Sequence, residues 1–201
     1  TVSAPFFSNT ARTIIADEHL KPITETRHFP RPLTFRNALV QACMAGNTSV
    51  FNPAAAALLQ EAAAAARDAQ IESHDWWAYQ LTSGAGATMI HDSAPALLYR
   101  QHPQSEMGRN DTPGAMAKRV GMLFAGDFGG WLAANHQALR ANRHLLTAEN
   151  ADILDRFGEA LQMNGPRAAV QLRRMGLYRQ TSIGTGALFA SAACGRLKAR
   201  D

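Results

Sequence analysis

The chain has 201 residues, enough for one substantial core and a small appendage. Apolar residues make up 46% and charged residues 18%, which excludes a chain that is disordered throughout. The net charge of +4 is modest but uneven: from Gly165 onward, seven basic residues (Arg167, Arg173, Arg174, Arg179, Arg196, Lys198, Arg200) stand against one acid, Asp201.

Residues 4–15 join Pro-Phe-Phe to Thr-Ile-Ile, and Ser8-Asn9 between them predicts two strands or a strand and its return. Residues 17–22 read as a turn, and 28–32, with two prolines, as irregular chain. Thr34 is placed to cap a short helix carrying the apolar stripe Phe35, Leu39 and Val40. Residues 48–51 are β-prone, and Asn52-Pro53 then opens a helix with proline at its first position. The alanine-rich run 54–69 predicts that helix strongly.

Residues 75–83 predict a second helix, with Trp76, Tyr79 and Gln80 at helical spacing, stopped by Gly84-Ala85-Gly86. Residues 88–90 and 96–99 predict two short strands joined at Asp92-Ser93. Residues 101–113 lack periodicity and read as a functional loop or linker. Amphipathic helices are then expected over 115–143, 148–163 and 166–178, the second capped by Thr147, with Leu154, Phe157 and Leu161 on one face. The fold class is α/β, divided into an α/β part over 1–112 and a helical part over 113–201.

Nothing after Thr1 reads as a signal peptide, and no stretch reaches the ~20 apolar residues of a spanning helix. The nearest, 182–194, includes two glycines and is suited to lying on a membrane surface. Cys43 and Cys194 fit no metal or redox spacing; buried, reduced thiols are expected, which suits a cytoplasmic protein. A basic tail calls for an anionic partner or else marks a solvated helix face.

Four local features bear on chemistry. In Ser73-His74-Asp75-Trp76-Trp77, a helix N-terminus would keep Asp75 ionised and the tryptophans would offer flat walls for a sugar. An oriented carboxylate can take a proton from an acceptor hydroxyl. Alternatively, Asp75 caps the helix and the tryptophans are core, the reading that local sequence favours. In Tyr99-Arg100-Gln101-His102, His102 is a candidate metal ligand and Arg100 a candidate phosphate contact, although a lone histidine more often serves structure or faces solvent. Ala45-Gly46-Asn47-Thr48 and Gly108-Arg109-Asn110 are, by themselves, only polar loops.

Taken in order, these pieces resemble the bacterial family 2 glycosyltransferases of the rhamnosyltransferase type. Gly46-Asn47-Thr48-Ser49-Val50-Phe51-Asn52 is similar to their acceptor-side loop and strand, and His74-Asp75-Trp76-Trp77 to their catalytic-base segment. Ala96-Leu97-Leu98-Tyr99-Arg100-Gln101-His102, with Gly108 and Asn110, resembles the segment that follows. Pro32-Leu33-Thr34-Phe35-Arg36-Asn37 and Met175-Gly176-Leu177-Tyr178-Arg179 extend the likeness toward both ends.

The resemblance implies the acceptor-side half of a GT-A, Rossmann-like sheet followed by helices. It implies inverting transfer of a sugar, rhamnose first, from a nucleotide-sugar donor to a glycan or lipid-linked acceptor of the cell surface. Asp75 would be the base; Gly46, Asn47, Thr48, Trp76 and Trp77 would bind acceptor; Arg100 and His102 would meet the donor diphosphate. A divalent metal, manganese or magnesium, would neutralise the leaving phosphate, with His102 a possible ligand. The basic tail would rest on an anionic membrane face, near a lipid-linked acceptor.

The sequence departs from the family in having no Asp-x-Asp motif and no leading phosphate loop. The chain by itself is therefore expected not to turn over a sugar nucleotide. A non-catalytic interaction or membrane-surface module is the competing reading. Nucleic-acid binding is disfavoured, because no aromatic residues interleave with the arginines of the tail.

Overall fold

The computed structural model describes residues 5–101, 127–163 and 165–198. Its centre is strand β1 (Phe7–Ala16), which belongs to a four-stranded mixed sheet. Strand β4 (Thr88–Arg100) runs parallel to β1 along its whole length, from Phe7 opposite Thr88 to Ala16 opposite Arg100. Strands β2 (Pro22–Glu25) and β3 (Val50–Phe51) are antiparallel to β1, at Ile14–Ala16 and Ser8–Asn9 respectively. Since β4 fills one edge of β1, β2 and β3 share the other, leaving the backbone around Ala11 between them without a strand partner.

Two sequence expectations change here. Ser8-Asn9 does not break the first strand, because both residues pair across to β4 as well as to β3 and the Ser8 side chain turns inward. Residues 88–90 and 96–99 are one strand rather than two. The turn signal at Asp92-Ser93 instead makes a bulge, in which Ala11 lies opposite Asp92 but Arg12 lies opposite Pro95. Asp92 Oδ1 accepts from the Ala94 N–H at 2.9 Å, and Pro95 has no N–H to lose. Arg12 secures the bulge: it donates to the Ser93 carbonyl at 3.2 Å and the Thr26 carbonyl at 2.8 Å, and pairs with Glu25 at 2.7 Å.

The turn over 17–22 forms as expected, with the Asp17 carboxylate accepting the N–H groups of His19 and Lys21. Thr34 caps α1 (Phe35–Ala38), and Asn52 caps α2 (Pro53–Asp68), with Pro53 in the first turn. Helix α3 (His74–Gly84) is capped by Ser73. The described part of the next helix is α4 (Asp127–Ala141), followed by α5 (Ala148–Gln162), capped by Thr147. Helix α6 (Pro166–Arg174) stops short of the expected 178. Gly176, at φ +71°, receives the chain as it turns, with Leu177 N–H bonded back to the Leu172 carbonyl at 3.2 Å. Helix α7 (Ser182–Ala193) is capped by Thr181 and ends beside Cys194, which is exposed; only Cys43 is a buried thiol, its pKa pushed up to about 12 by burial.

One core runs from Phe35, Leu39 and Trp76 to Leu132, Phe157 and Leu188, so the α/β part and the helices share an interior. Helices α4 and α5 approach where Gly158 faces His136: a Cβ there would lie 2.3 Å from His136 Nε2.

Among the polar joins between the two parts is Asn37, which is wholly buried. Its Oδ1 accepts from Tyr79 Oη at 2.9 Å and Gln180 Nε2 at 3.3 Å, and receives the Cys43 thiol at 3.2 Å. Its Nδ2 donates to the Tyr178 carbonyl at 3.0 Å. Replacing Asn37→Ala strands these partners in the interior. We expect a loss of about 3 kcal/mol in urea-unfolding free energy, with little change in the denaturant slope.

Candidate active site

The N-terminus of α3 and the loop after Met44 meet at Asp75. Ser73 takes the cap, so Asp75 lies in the first turn, where the exposed N–H groups favour a negative charge. Its Oδ1 accepts from the Trp76 N–H at 2.9 Å and from the Ser73 hydroxyl. Its Oδ2 accepts from the Gly46 N–H at 3.2 Å. Asp75 is therefore half-buried and held by donors from two segments.

The Gly46–Thr48 loop is a single 3₁₀ turn. Gly46 passes so close to α3 that a Cβ would stand 3.1 Å from His74 Nε2. Thr48 is buried and anchors the loop: its hydroxyl donates to the Ala11 carbonyl at 3.0 Å, in the gap between β2 and β3, and so receives the Thr10 hydroxyl at 3.2 Å. Asn47 is exposed at the tip.

The tryptophans point inward. Trp76 is 4% exposed, donates its Nε1–H to the Ala38 carbonyl at 2.7 Å and stacks on Phe128 at 5.9 Å. Trp77 is equally buried but forms part of the floor of a shallow groove of about 710 Å³, with Phe51, Leu59, Ala66, Ile71 and His74. That groove was not legible in the sequence. Its wall is the alanine-rich α2, whose short side chains leave the trough, and alanines chosen for helix propensity look the same.

Of the remaining candidates, Arg100 is exposed at the far end of β4. It pairs opposite Ala16, five residues beyond Ala11, or about 16 Å of strand from the carbonyl that anchors Thr48. The structure thus brings Gly46, Asn47, Thr48 and Asp75 together and does not bring Arg100 to them. His102, Gly108 and Asn110 lie outside the described residues. Among the described residues there is no group of three histidine, cysteine or acidic side chains able to hold a metal, and Asp75 already has three donors on its carboxylate. The site as described does not supply a donor set for the divalent metal that the resemblance implies.

A second polar feature escaped the sequence reading. His91 on β4 has its ring 5.5 Å from that of His28 and 5.0 Å from Phe29, and neither nitrogen has a hydrogen-bond partner among the described residues. Burial, then His28 and Arg12, hold its pKa below the ordinary value of 6.5. His136 is held down in the same direction, by burial and then by Arg140.

No protein-family model, curated protein or solved structure matches this chain. No helix among the described residues is long and apolar enough to cross a membrane.

Two measurements check this description. Asp75→Asn replaces one acceptor oxygen by an amide that cannot receive an N–H, and should cost about 1–2 kcal/mol of unfolding free energy. For the histidines, the unfolded chain binds more protons than the folded one below pH 6.5. Their neutral forms therefore favour folding fully above that value, and stability falls as pH drops below it. Thermal melts from about pH 7 to about pH 5 should show this decline, and His91→Gln with His136→Gln should flatten it.

Proposed function

We propose that this chain is the acceptor-side part of an inverting glycosyltransferase of the family 2, GT-A type, with Asp75 as the base. The observation that carries the reading is the 3.2 Å hydrogen bond from Gly46 N–H to Asp75 Oδ2. It joins the two segments, 29 residues apart in sequence, that the resemblance assigns to the acceptor and to the base.

Inversion in one displacement needs an aimed carboxylate, and little else from this half. The N–H groups of Trp76 and Gly46 fix the direction of the Asp75 carboxylate. As an acceptor hydroxyl attacks the anomeric carbon, its proton passes to an Asp75 oxygen, and the bond from that carbon to the diphosphate breaks. The Asn47 side chain, exposed at the tip of the Gly46–Thr48 turn, would orient the acceptor. The groove beside His74 and Trp77 offers an apolar bed for the flat face of a deoxysugar such as rhamnose, or for the apolar part of a lipid-linked acceptor. The nucleotide-sugar site and its metal belong to residues other than those described.

The test is nucleoside diphosphate release from thymidine- and uridine-linked sugars with manganese, in the presence of acceptor. The chain alone should release none above blank. Supplying a nucleotide-binding half in trans should give release that falls on the order of a hundredfold or more on Asp75→Asn. Release unaffected by that substitution would sink the assignment of the base.

A further inference from the structure

The helices α6 and α7 pack against each other and present a surface unlike the rest of the molecule. Between Gly165 and Lys198 there are six basic residues and no acid. Five of the six (Arg167, Arg173, Arg174, Arg196 and Lys198) are exposed and have no ion pair among the described residues. Elsewhere Arg143 pairs with Asp155 at 2.7 Å and Arg36 with Glu149 at 3.0 Å, and exposed arginines without an ion pair among the described residues, such as Arg67, Arg100 and Arg140, stand on separate elements rather than together.

The exposed side of α6 reads Arg167, Val170, Arg173, Arg174, a spacing that sets an apolar residue within a basic stripe. The exposed side of α7 reads Ser182, Ile183, Gly186, Ala190 and carries no charge at all. Val170 is 47% exposed, and Ile183, at 74%, is the most exposed large apolar side chain among the described residues.

The hairpin is also fixed in place. Arg179, between the helices, donates to the Val40 carbonyl at 2.7 Å and lies over the Phe128 ring, and the Gln180 N–H bonds Gln41 Oε1 at 2.7 Å. Gly176 and the Thr181 cap set the turn.

We propose that the α6–α7 face is a docking surface for an anionic lipid bilayer. The unpaired guanidinium and ammonium groups meet headgroup phosphates, and Ile183 and Val170 enter the interface between headgroups and acyl chains. Charge complementarity selects the partner: a cationic face with unengaged charges and exposed apolar side chains between them satisfies both halves of such a boundary. At 12 residues, α7 is about 18 Å long, so it lies along the surface rather than crossing it. This inference does not depend on the transferase reading.

The experiment is co-sedimentation of the full chain with vesicles of phosphatidylcholine alone and of phosphatidylcholine mixed with phosphatidylglycerol. Pelleting is expected only with the anionic mixture and should weaken as salt rises. Combining Arg167→Gln, Arg173→Gln and Arg174→Gln should reduce partitioning on the order of a hundredfold. Ile183→Asp should reduce it separately, and Lys21→Glu, in the β1–β2 turn, should leave it unchanged; circular dichroism confirms that each variant is folded. Equal pelleting with neutral vesicles, no pelleting at all, or equal sensitivity to Lys21→Glu would overturn the proposal. So would binding to duplex DNA at the same salt with indifference to Ile183→Asp, which would mark a nucleic-acid surface.

Discussion

A single buried amide, Asn37, decides how the two parts of this protein meet. A primary amide in an interior must satisfy both its donor and its acceptor side, because each group left bare costs more than one bond returns. Here its oxygen serves α3 through Tyr79 and the C-terminal region through Gln180, while its nitrogen reaches the Tyr178 carbonyl. These bonds tie α1, α3 and the segment after α6 to one buried side chain. The neighbouring Ala38 carbonyl then receives Trp76 Nε1 and Gln80 Nε2, so the first turns of α3 are fixed from the same point.

The position of Asp75 follows from that constraint. Once α3 is held by Trp76, Tyr79 and Gln80 on its inner side, its N-terminus has one outward direction, and the Gly46 turn lies across it. The turn is itself set by the sheet, since Thr48 completes the backbone of β1 where neither β2 nor β3 reaches. The carboxylate is thus oriented by a helix from one side and by a strand gap from the other. That is the kind of double support a catalytic base requires, because a side chain free to rotate would lose the alignment that makes proton transfer fast.

The C-terminal hairpin shows the opposite use of charge. Arg179 is drawn inward over Phe128, whereas its neighbours on α6 remain in water. One arginine of the group therefore serves the architecture, and the others are available for contacts outside it. The two histidines held neutral by burial, His91 and His136, differ again. They fill space against Phe29 and Gly158, and their cost is felt only as acid charges them.

What the residues determined locally was legible at once. Thr34, Asn52-Pro53 and Thr147 announce helices because a side-chain oxygen before an N-terminal turn satisfies the same orphan N–H groups in any context. Ser73 was overlooked as the cap of α3 in favour of Asp75 two residues later, since either side chain can accept from that turn. The joining of 88–90 to 96–99, the uninterrupted β1 and the inward turn of both tryptophans were decided by tertiary structure. A parallel neighbour can carry a strand through a turn signal as a bulge, and an indole becomes core when a distant carbonyl or ring, such as those of Ala38 and Phe128, is there to meet it. The candidate site divides in the same way. The residue types at Gly46 and Asp75 could be read in order, but their 3.2 Å contact exists only because the sheet and the core bring together segments that share no local interaction.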